Sequence, residues 1–250
     1  MISNEKAIRT LVKNGYQKHG ELRFKSEVNS IPLKQYGNSY LFKSCHKVRI
    51  ARISGRLYVN GTHLFLDFPN VEIANVNLVR KANGYFLYVT TYWNRKDLKQ
   101  TNKNGQVLGI DFGCKTNLTL SDGSKIDVQI EESERLKRFQ KKASGQKKRS
   151  NNQTKSYGTV RREYQKITNK KQDLANKFIH TMKSYGKVII QDEQISCWQK
   201  NGHGKKVQYS CMGAIKAKLK RLDNVVVLDK WILTTRWCPH CGKRNDIPLE

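Results

Sequence analysis

The chain has 250 residues, 37% of them hydrophobic, enough to bury one large core or two modest ones. Lys and Arg total 48 against 20 Asp and Glu, a formal net charge of +28, which predicts a polyanionic partner, nucleic acid before an anionic membrane. Apolar runs stay well short of the ~20 residues that span a bilayer, and the start lacks an apolar signal core. We therefore expect a soluble intracellular protein with no membrane partner.

The first part of the chain predicts a helical start followed by a β-rich module. Residues 1–27 have the pattern of a helix and a loop, and residues 28–98 carry short alternating or apolar runs separated by turn pairs such as Asn60-Gly61. This spacing is typical of a barrel-like module, and residues 93–106 have the composition of a linker. The predicted strands are 40–42, 48–53, 57–59, 64–68, 71–73 and 85–89.

A second module is predicted from residue 107. The apolar run 107–112 predicts a buried strand, and the run 118–120 with the turn Ser121-Asp122-Gly123 predicts a hairpin. A mostly helical region, 131–184, follows and is broken at 145–152. Further strands are predicted at 188–192 and 225–229, with a helix over 210–222 between them.

Three of these strands end in carboxylates, namely Asp111, the pair Asp192/Glu193, and Asp229. Because helices separate the strands, we expect them to be neighbouring and mostly parallel, with their ends at one edge of the sheet. Carboxylates gathered there are suited to holding two Mg²⁺ ions. The competing interpretation is that each Asp is a helix cap or turn residue, and it is strongest for Asp229.

Four features in this order resemble the TnpB (OrfB) family of insertion-sequence transposon proteins, relatives of the type V CRISPR effector nucleases. They are Gly109-Ile110-Asp111-Phe112-Gly113 with its Leu120-Ser121-Asp122-Gly123 hairpin, the basic helices, Gln191-Asp192-Glu193-Gln194-Ile195, and Cys238-Pro239-His240-Cys241-Gly242. The resemblance begins near Phe24-Lys25-Ser26 and runs to the C-terminus.

The resemblance implies an α+β protein, in which a β-barrel-like wedge module (28–98) precedes an RNase H-like (RuvC-like) nuclease domain (107–234). It implies Mg²⁺-dependent cleavage of DNA directed by a guide RNA from the transposon end. It places the protein in the prokaryotic cytoplasm, associated with the nucleoid. Residues 1–27 then correspond to a remnant of a helical recognition segment, and we expect a reading frame cut at both ends.

The resemblance implies catalytic acids, and each is matched separately to a residue of this sequence. Asp111 matches the first catalytic Asp, whereas Gln191 occupies the slot of the second acid, usually Glu. Side chains two apart on a strand share a face, so Glu193 is the preferred second acid and Mg²⁺ ligand, with Asp192 as runner-up. The family's third Asp lies beyond the end of this chain, and Asp229 does not match its position.

Cys238 and Cys241 form a knuckle that predicts half of a structural Zn²⁺ site, in an incomplete zinc ribbon at 235–250. A second Cys-x-x-Cys is missing, and His240, inside the knuckle, is not expected to ligate. The alternative is two free cysteines in a turn. The other four cysteines are scattered and are expected to be reduced.

Between Arg135 and Lys171 stand fourteen Lys or Arg and one acid, Glu163, which cannot neutralise them. We interpret this region as a surface for the backbone of a guide RNA–DNA hybrid, against the alternative of a solvated helix face. Phe139, Tyr157 and Tyr164 are candidates for base stacking, although Tyr164 is expected to pack inward. The predicted contact residues are Arg135, Lys137, Arg138, Lys141, Lys142, Lys147, Lys148, Arg149, Arg161, Arg162 and Lys166.

The leading hypothesis is therefore an RNA-guided, metal-dependent DNA endonuclease of the transposon type. A second is a catalytically inactive nucleic-acid-binding remnant or repressor of the same family. A third is an ATPase of the actin/sugar-kinase type, whose phosphate loop also reads Ile-Asp-x-Gly, but no second phosphate loop follows and the charge suits it poorly. A basic ribosomal-type protein does not explain the strand-terminal acids.

Overall fold

The computed structural model describes residues 2–15, 27–68, 70–94, 103–198, 203–232 and 241–244. The chain divides into two compact units, Met1–Leu98 and Lys99–Glu250. The helices are α1 (Ile2–Lys13), α2 (His63–Leu66), α3 (Glu134–Ser144), α4 (Asn151–Met182), α5 (Ile195–Trp198), α6 (Gly204–Tyr209) and α7 (Met212–Leu219). The strands are β1 (Ser30–Leu33), β2 (Tyr40–Ser44), β3 (Lys47–Ile50), β4 (Leu57–Tyr58), β5 (Glu72–Lys81), β6 (Gly84–Tyr92), β7 (Val107–Phe112), β8 (Leu118–Leu120), β9 (Lys125–Ile126), β10 (Lys187–Gln191) and β11 (Val225–Leu228).

The first unit contains two open antiparallel sheets, in the orders β1-β5-β6 and β2-β3-β4. Both contribute to one core, since Leu33 and Val76 of the first sheet cluster with Phe42, Val48 and Ile50 of the second. The β-rich character is thus as predicted, but in the described residues the two sheets do not join into a closed barrel.

Three local predictions in this unit were wrong or incomplete. The run 64–68 is not a strand, because His63–Leu66 forms the short helix α2, from which Phe65 packs on the core. An apolar run this short has no hydrophobic periodicity by which a helix could be distinguished from a strand. The run 71–73 is only the beginning of the ten-residue strand β5, since Asn75 and Asn77 interrupt its apolar pattern. Strand β1, which contains Pro32 and lies at a sheet edge, was missed.

The second unit is built on one five-stranded sheet with the order β11-β10-β7-β8-β9. Strand β10 pairs in parallel with both β7 and β11, whereas β8 and β9 continue the sheet as an antiparallel hairpin. The prediction that the three acid-ending strands are parallel neighbours is confirmed. Their C-terminal ends therefore lie along one edge.

Helices cover one face of this sheet. Leu108 and Ile110 of β7, and Val188 and Ile190 of β10, are buried in a core that also contains Phe178, Met182, Ile215 and Leu219 from α4 and α7. Side chains alternate along a strand, so Gly109, Asp111, Ile189 and Gln191 lie on the opposite face. The apolar pattern thus directs Asp111 away from the core.

Helices α3 and α4 form a helical hairpin across the predicted break at 145–152. Ser133 and Ser150 cap the two N-termini by accepting hydrogen bonds from Leu136 N and Gln153 N, each at 3.2 Å. Leu136 is buried against Val160 and Ile167 of α4. Nowhere in the described parts of the chain is a helix both long and apolar enough to cross a membrane.

Candidate functional site

Asp111 lies near the C-terminal end of β7, opposite Thr119 of β8. Asp111 is an exposed residue, yet partial desolvation of its carboxyl group raises its pKa above the usual 3.8. A hydrogen bond donated by the backbone of Phe112 opposes this effect. The ionised form of Asp111 is therefore less stable than it would be in water, and a nearby cation would stabilise it.

The chain that follows Asp111 is held by close backbone contacts. A Cβ atom at Gly113 would lie 2.6 Å from the carbonyl oxygen of Thr116, so glycine is required at this turn. Gly113 N donates to Asn117 O at 3.2 Å, and the buried Asn117 side chain accepts a hydrogen bond from Val128 N at 3.0 Å. These contacts fix the position of Asp111 relative to the hairpin.

Glu193, two residues beyond β10, lies close enough to Asp111 for the two carboxylates to interact. Burial is the largest cause of its raised pKa, and the negative charge of Asp111 is the second. Lys216 acts in the opposite direction. The Oε2 atom of Glu193 is buried and has no hydrogen-bond partner among the described residues. The structure thus brings together Asp111 and Glu193, the pair that the sequence favoured.

Asp192 is engaged elsewhere. Its Oδ1 atom lies 3.0 Å from Lys216 Nζ and 2.6 Å from Lys220 Nζ, and these hydrogen bonds lower its pKa to about 2. The buried Lys216 also donates to the backbone carbonyl of Glu193. The geometry therefore favours Glu193 over Asp192 as the second acid, and Lys216 anchors the segment that carries both. Sequence reasoning missed Lys216, because a lysine on a predicted helix gives no sign that it is buried.

Gln191 and Asp229 have structural contacts at the same edge. Gln191 Nε2 lies 2.7 Å from the carbonyl oxygen of Ile232 and 3.1 Å from that of Lys230, which ties β10 to the chain beyond β11. Asp229 is exposed and accepts a hydrogen bond from Trp231 N at 2.8 Å. This contact is the turn interaction considered as the alternative for Asp229.

A hollow of 420 Å³ opens beside Asp111 on the face of the sheet opposite α4 and α7, lined by Gly109, Thr119, Ser121, Ile189, Gln191 and Leu228 among others. Within the described ranges, no group of three or more His, Cys, Asp or Glu side chains is arranged to hold a metal ion. The candidate site thus consists of two carboxylates. Of the zinc knuckle, Cys241 is an exposed free cysteine, whereas Cys238 lies outside the described residues.

All eleven predicted nucleic-acid contact residues are exposed, on α3, on α4 and on the turn between them. Three of them make ion pairs: Arg135 and Lys166 with Glu163, at 3.5 and 2.9 Å, and Lys137 with Glu134, at 2.6 Å. The buried Glu163, whose pKa Lys166 lowers, therefore organises part of the surface.

The three aromatic candidates on these helices differ in their surroundings. Phe139 is partly buried and is flanked by Arg135, Arg138 and Lys142, whose cationic groups lie 5.5–5.9 Å from the ring centroid. Tyr164 packs inward, as expected, and its hydroxyl accepts a hydrogen bond from Gln140 at 2.7 Å. Tyr157 is 44% exposed and is thus the most accessible of the three.

Comparison with known proteins gives two matches. The model of the OrfB transposase family, described as "Probable transposase", matches residues 88–196. A protein of Streptomyces pristinaespiralis named "Putative RNA-guided DNA endonuclease" is 28% identical over 281 aligned positions, which cover 94% of this chain and 68% of the relative. The chain is thus similar to the OrfB transposase family over residues 88–196, and along most of its length to a protein named as an RNA-guided DNA endonuclease. The segment that matches the family model contains Asp111, Glu193 and both basic helices.

Proposed function

We propose that this chain is a transposon-associated, RNA-guided DNA endonuclease whose second unit is an RNase H-like (RuvC-like) nuclease domain. The observation that carries the proposal is the juxtaposition of Asp111 with Glu193, whose pKa the charge of Asp111 raises and whose Oε2 has no partner among the described residues. The sheet order supports the fold assignment, since a central parallel strand ends in Asp111 and is flanked by β10 on one side and an antiparallel hairpin on the other.

The two carboxylates suit Mg²⁺. Magnesium is commonly bound in proteins through one or two carboxylates, with water and phosphate oxygens completing its shell. Held there, Mg²⁺ would supply activation of a water molecule and stabilisation of the leaving oxygen of a phosphodiester. Asp111 and Glu193 would hold it, while Lys216 and Asp192 keep the Glu193 segment in place. The unpaired Glu193 oxygen is the structural feature that a cation would satisfy.

The basic surface supplies the binding of nucleic acid. We propose that α3, α4 and their connecting turn contact the backbone of a guide RNA–DNA hybrid, through charge and shape rather than base identity. The first unit takes the place of the family's wedge module. Cys238 and Cys241 remain a proposed half-site for Zn²⁺.

The proposal is tested with the purified chain, RNA from the flanking transposon end, Mg²⁺ and a library of double-stranded DNA targets. We expect guide-dependent cleavage that is abolished by Asp111→Asn and by Glu193→Gln but retained by Asp192→Asn. Cleavage that persists in Asp111→Asn would overturn the assignment.

A second candidate function is binding without cleavage. It is favoured by the fact that the described residues gather two carboxylates rather than three. In that case the wild-type chain binds guide RNA and target DNA but leaves the DNA intact, and Asp111→Asn does not change its affinity for either nucleic acid.

A further inference from the structure

Strand β6 carries an exposed aromatic stripe. Phe86, Tyr88 and Tyr92 are 40%, 46% and 62% exposed, and their even spacing places them on one face of the strand. Leu87 and Val89, on the other face, pack against the core of the first unit. The stripe is therefore not needed to close the core of the first unit.

The same face carries a cation among the rings. Lys81 of β5 projects onto it beside the register pairs Val79–Phe86 and Asn77–Tyr88. Its Nζ atom lies 5.2 Å from the centroid of the Phe86 ring and 4.9 Å from that of Tyr88. Two flat apolar rings and an ammonium group thus occupy one patch of sheet.

The net charge of the first unit indicates the class of partner. Residues 27–94 contain eight Lys or Arg and three Asp or Glu, so the partner is expected to be anionic. Exposed aromatic rings on a sheet, beside cations, suit unpaired bases that stack on the rings while their phosphates meet the cations. A duplex keeps its bases stacked inside the helix and does not offer them to a flat surface.

We propose that the stripe of Phe86 and Tyr88, with Lys81, is a stacking platform for single-stranded nucleic acid. This proposal rests on the proposed function in one respect, namely that the partner is a nucleic acid. It uses none of the residues of the nuclease site. Stacking of a base on an aromatic ring is stronger than an exposed cation–π contact. A base can therefore displace the Lys81 ammonium from a ring, which leaves the ammonium to pair with a phosphate.

Binding to base-bearing and abasic oligonucleotides of equal length tests the proposal in the full chain, by fluorescence anisotropy in both DNA and RNA forms. The Lys and Arg residues of α3 and α4 contact the backbone and affect both ligands alike, so they cancel in the ratio of the two affinities. All variants are compared in a Tyr157→Leu background, which removes the most exposed ring of these helices from the comparison. We expect the wild-type chain to prefer the base-bearing strand by about tenfold or more, since one or two bases stack. Phe86→Leu/Tyr88→Leu keeps the patch apolar but removes the rings, and it should abolish the preference.

Three further variants sharpen the test. Tyr85→Ala removes a 72% exposed ring from the same strand but from its opposite face, and should leave the preference unchanged. Lys81→Gln should weaken the binding of both oligonucleotides equally. It should also reduce the slope of log affinity against log salt concentration by about 0.7, the value for one phosphate of a single strand. Thermal melting of each variant establishes that it is folded, and Phe86→Tyr/Tyr88→Phe should restore the preference.

Equal affinity of the wild-type chain for the two oligonucleotides would overturn the platform, and so would a preference that survives in the double Leu variant. Either result leaves the proposed nuclease intact, because binding through the backbone persists. If the chain binds no oligonucleotide at all, the proposed function fails together with the platform.

Discussion

The negative charge of Asp111, on β7, raises the pKa of Glu193, which lies two residues beyond the neighbouring parallel strand β10, so the two side chains form an acidic pair. Both carboxyl groups are also partly buried, and burial is the largest cause of each raised pKa. A folded protein gains nothing from two like charges brought out of water, since each ionised form is disfavoured. Such an arrangement is typical of a site that binds a cation.

Glu193→Gln is expected to raise the thermal midpoint of the metal-free chain at pH 7. A carboxyl group with a raised pKa binds more protons in the folded than in the unfolded state, so its ionisation lowers the free energy of unfolding as pH rises past about 4.5. Removing the charge removes that penalty. Differential scanning calorimetry at pH 4 and pH 7 should show a gain that is larger at pH 7. An equal or lower midpoint at pH 7 would contradict the interpretation of the pair.

Asp192→Asn is expected to have the opposite effect. Lys216 and Lys220 lower the pKa of Asp192 to about 2, so the folded chain binds fewer protons at this carboxyl than the unfolded chain does. The stability from these ion pairs is present above the ordinary Asp pKa of 3.8 and is lost as pH falls toward about 2. Thermal melts should therefore show a lower midpoint for the variant at pH 7 and a shrinking difference below about pH 4. A difference that is independent of pH would exclude this cause.

Gln191→Glu is expected to destabilise the fold by about 1–3 kcal/mol. The amide of Gln191 donates to the carbonyl oxygens of Lys230 and Ile232, and a carboxylate has no proton to donate. Urea denaturation measures the change. Gln191→Met, which removes the donor without adding charge, is the control and should cost less than Gln191→Glu. A Glu variant as stable as the wild type would show that the amide contacts are unimportant.

Neutralising the turn between α3 and α4 is expected to weaken binding of a nucleic-acid duplex and to lower its salt dependence. Lys147→Gln/Lys148→Gln should reduce the slope of log affinity against log salt concentration by about 0.9 for each phosphate that the protein no longer neutralises. Lys177→Gln is the matched control, because Lys177 lies on α4 but is paired with Asp173 at 2.8 Å. Anisotropy titrations over a range of salt concentrations make the comparison. Equal slopes for the double variant and the wild type would remove this turn from the interface.

Sequence reasoning succeeded where burial dictates the residue pattern. Strands β7, β10 and β11 are recognisable because parallel strands under helices are nearly continuous apolar runs, and their shared edge follows from the intervening helices. The position of Asp111 near the C-terminal edge of the parallel strands could therefore be predicted from the sequence.

It failed where the outcome depends on a distant partner. The sequence around Asp192 does not show that this residue forms ion pairs with Lys216 and Lys220, which are distant in the chain. Nor does the sequence around Glu193 show that this side chain interacts with Asp111 instead. Likewise, the aromatic stripe becomes visible only once the register of β5 and β6 is known, because Lys81 reaches Phe86 and Tyr88 across the hairpin.

Binding of Mn²⁺, a paramagnetic substitute for Mg²⁺, tests the central claim most directly, because electron paramagnetic resonance counts free and bound metal without any catalytic turnover. We expect the wild-type chain and Asp192→Asn to bind Mn²⁺ with similar affinity, and Asp111→Asn and Glu193→Gln to lose about tenfold or more, since each removes a carboxylate ligand. Asp111→Asn or Glu193→Gln binding Mn²⁺ as tightly as the wild type would contradict the assignment of this pair as the metal site.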